Sequence, residues 1–330
     1  MANKALLGMF FGASLVAGGC VSNQTTIDPS KPAAVDTYVS GYQAMKAGDT
    51  ATAQKTLEAA VAKNPNLIMA RIALGDIYRQ QNDFTDAAKQ YEVLVQKDYY
   101  TLNNHYYLGT SYQLLTRYKD AARAYLTGLK LQPSDFKSNM NLGTVYLALG
   151  DNEQAVNYLD KATQLDPNSA VAWSNLGVAL DAKDSYVLAE TAYRKAIELD
   201  SSSLTVQQNL ANNLLLQKKV GEAIYLWEQI VAKNKTPLTQ TKLAAAYVAG
   251  GDFSRADEQV DSVLKTDPRY VPAINTKARC RLKQYELSGF ADDHFRQEAV
   301  ALLKQSLSLN SSQPSVQKDL KKYEKALPLG

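Results

Sequence analysis

Three asparagines are the residues whose type and spacing point most directly to binding chemistry. Asn141, Asn175 and Asn209 stand 34 residues apart, and each precedes a Leu and a small residue: Leu142-Gly143, Leu176-Gly177 and Leu210-Ala211. A carboxamide donates two hydrogens and accepts through its oxygen. A row of them can hold an extended peptide by its backbone, with little demand on the peptide's side chains. The competing reading is a plain solvated face. Other chemistry is sparse. His105 falls on a helical stretch and reads as a packing residue; His294 has only Asp292 and Asp293 beside it, too few ligands for a metal site. The chain has two His and two Cys, which supplies neither a zinc cluster nor a disulfide framework. Cys280 lies in a helical stretch and reads as a small core residue. No glycine-rich phosphate loop and no Gly-x-Ser-x-Gly motif occurs. The expectation is a protein that is not an enzyme and takes no cofactor and no metal. A net charge of +3 without a long basic run argues against nucleic acid as a partner.

Cys20 offers chemistry of another kind. Residues 1–20 read Met-Ala-Asn-Lys, an apolar run from Ala5 to Ala17, then Gly18-Gly19-Cys20. A positive start, a short apolar run and small residues make a bacterial signal peptide. The run is shorter than the ~20 apolar residues a spanning helix needs. The ending resembles the lipobox of bacterial lipoproteins: Gly19 and Cys20 fit, while Ala17 and Gly18 stand where that family prefers Leu and Ala or Ser. The resemblance implies that Cys20 is acylated and becomes the first residue of the mature chain. Ordinary secretion and an uncleaved anchor are the alternatives. Val21, not Asp, follows the cysteine. In the enterobacterial sorting pattern that implies an outer-membrane lipoprotein facing the periplasm. Val21 to Ala34 is polar, contains Pro29 and Pro32, and reads as a flexible tether. The expected layout is a signal peptide over 1–19, a tether over 20–35, a repeat array over 36–311 and a capping helix over 312–330.

The spacing of the asparagines belongs to the whole chain. Repeats beginning at 34, 68, 102, 136, 170 and 204 keep a strict period; a seventh begins at 237 and an eighth at 271. Position eight of each is small (Gly41, Gly75, Gly109, Gly143, Gly177, Ala211, Ala244, Ala278), and position twenty is Ala from Ala53 to Ala256. Such residues let two helices approach closely. Position seven (Leu74 to Leu243), position eleven (Tyr78, Tyr112, Tyr146, Leu180, Leu214, Tyr247) and position twenty-four (Leu57, Tyr91, Tyr125, Leu159, Tyr193, Trp227, Val260) carry large residues that are expected to fill the space between helix pairs. Gly48-Asp49, Asn82-Asp83, Gly150-Asp151 and Gly251-Asp252 end one helix and cap the next. Asp151 and Gln154 have capping-box spacing. Pro65, Pro133, Pro167 and Pro268 close the repeat.

This pattern resembles the tetratricopeptide repeat family. The resemblance implies an all-α solenoid, a right-handed superhelix of about eight helix pairs with a C-terminal capping helix. Departures are Tyr99 and Ser201 in place of Pro, Thr116-Arg117 in an inter-helix turn, and the eighth repeat. The fold implies that positions two, five, six, nine, twelve and thirteen of each first helix line a concave groove. The expected partner-binding residues are Tyr106, Tyr107, Met140, Asn141, Thr144, Ser174, Asn175, Gln208, Asn209 and Asn212, with Asn103, Thr110, Gln113, Lys137 and Asp181 at further groove positions. The ladder resembles the asparagine ladders of peptide-holding members. The Lys/Asn/Arg carboxylate clamp of chaperone-binding members is not matched, because Asn141 stands where Lys137 would need an Arg on its helix.

In the eighth repeat Ala299 takes the place of position twenty, nine residues late, so Glu286 to His294 reads as an insertion into the turn and as a surface loop. Ser315 to Leu327 reads as an amphipathic helix that shields the last apolar face, with partner or membrane-surface docking as the alternative. The layout resembles TadD-like, PilF/PilW-like and NlpI-like lipoproteins. It implies a membrane-anchored scaffold for a protein or peptide partner in envelope machinery of the pilus or secretion type. A substrate-feeding subunit of a cell-wall or glycosyl-transfer enzyme complex is a second reading. A self-associating structural protein, a homo-oligomer, is a third.

Overall fold

The computed structural model of the protein describes residues 32–324. Among these residues every regular element is an α-helix, and the helices fall into two compact units, one ending at Lys183 and one beginning at Asp184. The N-terminal unit holds α1 (Pro32–Lys46), α2 (Thr50–Lys63), α3 (Ile68–Gln80), α4 (Phe84–Lys97), α5 (Leu102–Leu114), α6 (Tyr118–Leu131), α7 (Phe136–Leu149), α8 (Asn152–Leu165) and α9 (Ala170–Ala182). The C-terminal unit holds α10 (Tyr186–Leu199), α11 (Leu204–Leu216), α12 (Val220–Lys233), α13 (Pro237–Gly250), α14 (Phe253–Thr266), α15 (Val271–Leu287), α16 (Asp293–Leu309) and α17 (Pro314–Glu324). Within each unit a helix packs on its chain neighbour, and the odd-numbered helices also touch one another: α1 with α3, α5 with α7, α7 with α9, and α13 with α15. This is the architecture of a tetratricopeptide repeat solenoid.

The turns inside the pairs share one solution. One or two residues past the end of six first helices the chain turns left-handed: Gly48, Asn82, Thr116, Gly150, Lys218 and Gly251 have φ between 58° and 81°. The next N–H then returns to the carbonyl of position eleven, as in Asp83 to Tyr78 (2.8 Å), Arg117 to Tyr112 (2.8 Å) and Asp252 to Tyr247 (3.0 Å). Asp49, Asp83, Asp151 and Asp252 each accept from the backbone N–H three residues on. At Asp151 the cap is one-way, because among the described residues no Gln154 side-chain bond returns to it. The reciprocal capping box forms at Thr236 and Thr239. Thr116, β-branched and left-handed, carries the strain that glycine avoids elsewhere.

Packing inside a pair is set by position twenty-four. Leu57, Tyr91, Tyr125 and Leu159 lie across Gly41, Gly75, Gly109 and Gly143 of their own pair, so close that a Cβ on the glycine would stand 2.5–2.9 Å from them. The expectation that these large residues fill the space between pairs therefore holds only in part: they fill the seam within one pair, and Tyr91 and Tyr125 also reach Tyr107 and Asn141 of the next. The position-twenty alanines from Ala53 to Ala256 are fully buried beside them.

Pairs are joined by two periodic hydrogen bonds. At position four, Arg71, His105, Asn139, Trp173 and Gln207 each engage the carbonyl six residues earlier, on Pro65, Tyr99, Pro133, Pro167 and Ser201, at 2.6–3.1 Å. A carbonyl only accepts, so the His105 Nε2 carries the hydrogen. At position eleven, the Tyr78, Tyr112 and Tyr247 hydroxyls donate to Glu58, Glu92 and Glu228, position twenty-five of the preceding pair, at 2.7–2.8 Å. Burial and the Glu92 carboxylate push the Tyr112 phenol up to about 12, so it stays a donor. His105→Leu removes the donor and leaves a carbonyl without its partner beside a residue only 3% exposed, at a cost of about 1–3 kcal/mol. His105→Gln, which copies the residue at 207, should lie within about 1 kcal/mol of the native protein. Denaturant unfolding of the two variants checks the pair.

In the C-terminal unit the buried Glu190 gathers Arg194 (2.8 Å), Lys219 (2.7 Å) and Gln217 (2.8 Å). Burial opposes its charge, but the bonds from Lys219, Arg194 and Gln217 outweigh it and hold the carboxyl at about 2, below the ordinary 4.5. Because the folded value is the lower one, this stabilisation is complete above the ordinary carboxylate pKa and is lost as pH falls toward 2. Melting of the native protein should therefore fall between about pH 4.5 and 2 more steeply than that of Glu190→Gln.

The insertion in the eighth repeat is not a long loop. α15 and α16 are each 17 residues, against 14 in α13 and in α14, and only Ser288 to Asp292 lies between them. Tyr285, in the added length of α15, is buried, as is Leu282 one turn before it. His294 is an exposed residue at the start of α16. α17 closes the unit: Val316 and Tyr323 are buried, the Tyr323 hydroxyl donates to Glu286 (2.7 Å), and Arg296 donates to the Tyr323 carbonyl (2.9 Å). α1 begins at Pro32, within the stretch read as tether. Cys20, the signal peptide, the rest of the tether and Leu327 lie outside the described residues.

Candidate partner-binding groove

Seven of the ten residues expected in the groove fall on three consecutive odd-numbered helices of the N-terminal unit. Tyr106 and Tyr107 are on α5; Met140, Asn141 and Thr144 on α7; Ser174 and Asn175 on α9. All seven are half-buried. Gln208, Asn209 and Asn212 lie on α11 of the C-terminal unit and are half-buried as well. Of the further positions, Asn103 and Lys137 are exposed and Asp181 half-buried, whereas Thr110 and Gln113 are buried. Thr110 donates back to the Tyr106 carbonyl of its own helix (2.8 Å).

The floor between α5 and α7 is one connected polar cluster. The Tyr125 hydroxyl donates to Gln113 Oε1 (2.9 Å), Gln113 Nε2 donates to Thr144 Oγ1 (3.2 Å), and Thr144 Oγ1 donates to the Asn141 carbonyl (2.7 Å). Asn141 Nδ2 reaches the hydroxyls of Tyr125 (3.3 Å) and Tyr106 (3.4 Å). Burial pushes the Tyr125 phenol well above its ordinary value, and Tyr106 in the same direction, so both hydroxyls keep their protons. The aromatic rings continue the cluster toward α3: Tyr106 lies 5.4 Å from Tyr107, and Tyr107 lies 5.5 Å from Tyr91. The Arg79 guanidinium sits 3.9 Å from the Tyr107 ring centre, a cation–π contact, and pairs with Asp76 at 2.9 Å. The Tyr91 hydroxyl donates to the same Asp76 oxygen (2.9 Å).

Tyr91 and Tyr125 are core residues whose hydroxyls emerge on the groove side. Glycine at position eight makes this possible: each ring passes where a Cβ would stand, so its far end reaches the first-helix surface. Reading the tyrosines as packing residues holds for their rings and misses their oxygens. The readable signal was Tyr at twenty-four opposite Gly at eight.

The asparagines are not equivalent. Asn141 spends its amide hydrogens on two tyrosines. Asn175 has no hydrogen-bond partner among the described residues, because Leu159 stands at position twenty-four of the preceding pair where Tyr125 stands before Asn141, and Met140 stands where Tyr106 does. Asn209, within its own unit, also has none. A half-buried amide without a partner keeps its full donor and acceptor capacity for a bound backbone. Cys280 is fully buried, and burial with the neighbouring Asp257 charge pushes its thiol to about 11, so it is no nucleophile. Among the described residues no cluster of His, Cys, Asp or Glu could hold a metal ion, and no helix is long and apolar enough to cross a membrane.

A model of the tetratricopeptide repeat family matches residues 38–99, 106–170 and 140–203. Among solved structures, a tetratricopeptide repeat protein from Parabacteroides merdae ATCC 43184 aligns at TM-score 0.53 and 17% identity, over 88% of this chain and 99% of that one. The C-terminal part of a repeat-containing protein from Cytophaga hutchinsonii aligns at TM-score 0.57 and 15% identity, over 74% and 98%. PilF from Pseudomonas aeruginosa aligns at TM-score 0.50 and 20% identity, over 64% and 96%. At these identities the likeness is one of fold. No curated protein sequence matches the chain. Residues 38–99 and 106–203 are therefore tetratricopeptide repeats, and the helix pairs that follow them continue the same fold.

Proposed function

We propose that the protein is a non-catalytic scaffold that holds an extended segment of a partner protein against α5, α7 and α9. The observation that carries this reading is Asn175: a half-buried carboxamide without a hydrogen-bond partner among the described residues, flanked by half-buried Ser174 on its own helix, with Met140 and Asn141 on α7. Amides hold the backbone of the segment, while Tyr106, Tyr107 and Met140 offer apolar area to its side chains. Recovery of a defined partner by crosslinking in the native host, lost in a Ser174→Arg variant that fills the groove, tests it. Recovery of the same proteins by the variant contradicts it.

The scaffold is membrane-anchored in this reading, through a lipid on Cys20, at the outer membrane and facing the periplasm. Its setting is envelope machinery of the pilus or secretion type. The support is the N-terminal sequence, with its short apolar run and Gly19-Cys20. A Cys20→Ser variant should leave the membrane fraction, and globomycin should leave a longer precursor. A Cys20→Ser protein that still partitions with membranes overturns the anchor and leaves the groove reading standing.

A further inference from the structure

The C-terminal unit has a cleft of about 470 Å³ bordered by α11, α13, α15 and the connection from α16 to α17. Two basic side chains face it, Lys242 on α13 and Arg279 on α15. Neither has a carboxylate partner among the described residues; Arg279 reaches only Thr276 Oγ1 on its own helix, at 3.4 Å. Nearby cations are treated differently. Lys277 pairs with Asp261 (2.6 Å), Arg281 with Asp257 (2.8 Å) and Glu298, and Arg255 with Glu228 (3.1 Å) and Asp252 (2.6 Å). Lys242 and Arg279 are exposed residues, but partial desolvation of the ammonium in the cleft lowers the Lys242 pKa from its ordinary value, and the like charge of Arg279 adds to that. Two cations that repel each other in one cleft lower stability, and an anion between them would reverse the effect.

The rest of the lining says what kind of anion. Asn275 Nδ2 donates to Gln313 Oε1 (2.7 Å), the buried Ser306 donates to Asn275 Oδ1 (2.6 Å), and Gln313 Nε2 donates to Ser306 Oγ (2.9 Å). That gives a rigid polar wall. Asn212, on α11, lines the same cleft, has no partner among the described residues and is suited to a peptide group. Leu238, exposed at the edge, supplies apolar surface. No aromatic residue lines the cleft, so it lacks the stacking surface that nucleic-acid bases use.

We propose that this cleft binds an acidic stretch of an extended partner peptide, with Lys242 and Arg279 receiving its Asp or Glu side chains and Asn212 its backbone. The site uses none of the residues of the Asn141 and Asn175 face and stands whether or not that face binds. The test uses the whole chain without its first 20 residues and three fluorescent probes at low salt. These are a C-terminally amidated decapeptide of alternating Asp and Ala, its Asn–Ala counterpart, and a single-stranded oligonucleotide. The acidic peptide should bind, the Asn–Ala peptide should not, and Lys242→Gln with Arg279→Gln should weaken the acidic peptide by about tenfold or more. The same double variant should melt no lower than the native protein, because it relieves a repulsion. Asn141→Ala with Asn175→Ala should leave acidic-peptide binding unchanged, which separates this site from the other groove. Equal binding of the two peptides, tighter binding of the oligonucleotide, no binding of the acidic peptide, or an unaltered affinity in the double variant overturns the proposal.

Discussion

Gly143→Leu should unfold the pair formed by α7 and α8. Any Cβ at 143 meets Leu159 Cγ at 2.5 Å, its Cδ2 at 3.1 Å and the Ala155 carbonyl oxygen at 3.2 Å. Leu159 and Ala155 are fully buried, and the carbonyl belongs to the facing helix, so neither can yield without moving backbone. Replacing a mid-helix glycine gains about 1 kcal/mol of helix propensity. Overpacking a tight seam costs about 1–3 kcal/mol for one or two extra carbons, and leucine adds four. The clash wins, by about 3 kcal/mol or more. Gly221→Ala is the matched control: no atom lies within 4 Å of its would-be Cβ, so only the propensity gain remains and stability should rise. Thermal melting followed by circular dichroism, with hydrogen exchange along α7 and α8, separates the two. A native-like melt for Gly143→Leu would refute the seam.

The largest functional effect should come from Asn141→Ala and Asn175→Ala combined. Asn175 has no hydrogen-bond partner to lose among the described residues, and a half-exposed substitution of this kind stays within about 0.5 kcal/mol. Asn141 gives up two long bonds to Tyr106 and Tyr125, which adds at most about 1 kcal/mol. The fold should therefore survive. A bound backbone would lose up to two hydrogen bonds at about 0.5–1.5 kcal/mol each, together about 1–3 kcal/mol, or about fivefold or more in Kd. Restoring Asn175 alone should recover more affinity than restoring Asn141 alone, because only the Asn175 amide is wholly free. Titration of the recovered partner against the native protein and the three variants measures this. Equal affinities across the series would return the asparagines to a solvated face.

The scaffold of the fold was legible because one constraint repeats. A small residue at eight, Ala at twenty and a large residue at twenty-four recur in types that change little, and so do Gly-Asp at the turn and Pro at the repeat's end. The seam these residues make is what fixes the period. The position-four bond was not legible. Arg71, His105, Asn139, Trp173 and Gln207 look unrelated as residues and share only an N–H that reaches the same carbonyl. Tyr at eleven with Glu at twenty-five of the preceding pair could have been found, since Glu58, Glu92 and Glu228 occur ahead of Tyr78, Tyr112 and Tyr247, while Asp160 and Arg194 precede Leu180 and Leu214.

The insertion was misread for a different reason. Counting residues between repeat positions located nine extra ones but not their conformation. Lys283-Gln284-Tyr285-Glu286-Leu287 contains neither Gly nor Pro and continues the α15 helix, leaving Gly289 to make the turn. In the groove, side-chain type located the asparagines, while their availability depended on what stood across the seam. Tyr125 occupies Asn141, and Leu159 leaves Asn175 free. That distinction needs the knowledge that a ring at twenty-four passes over the glycine at eight, which spacing alone does not contain.

The central claim is that the odd-numbered helices of the N-terminal unit hold the partner. Site-specific photocrosslinking tests it most directly, with a benzophenone amino acid placed in turn at Ser174 on α9 and at Asn157, an exposed residue of α8. In the native host, Ser174 should yield a discrete crosslinked species that disappears when Asn141 and Asn175 are changed to Ala, and Asn157 should yield none. Crosslinking at Asn157 with nothing at Ser174, or a Ser174 product indifferent to the asparagines, would contradict the account.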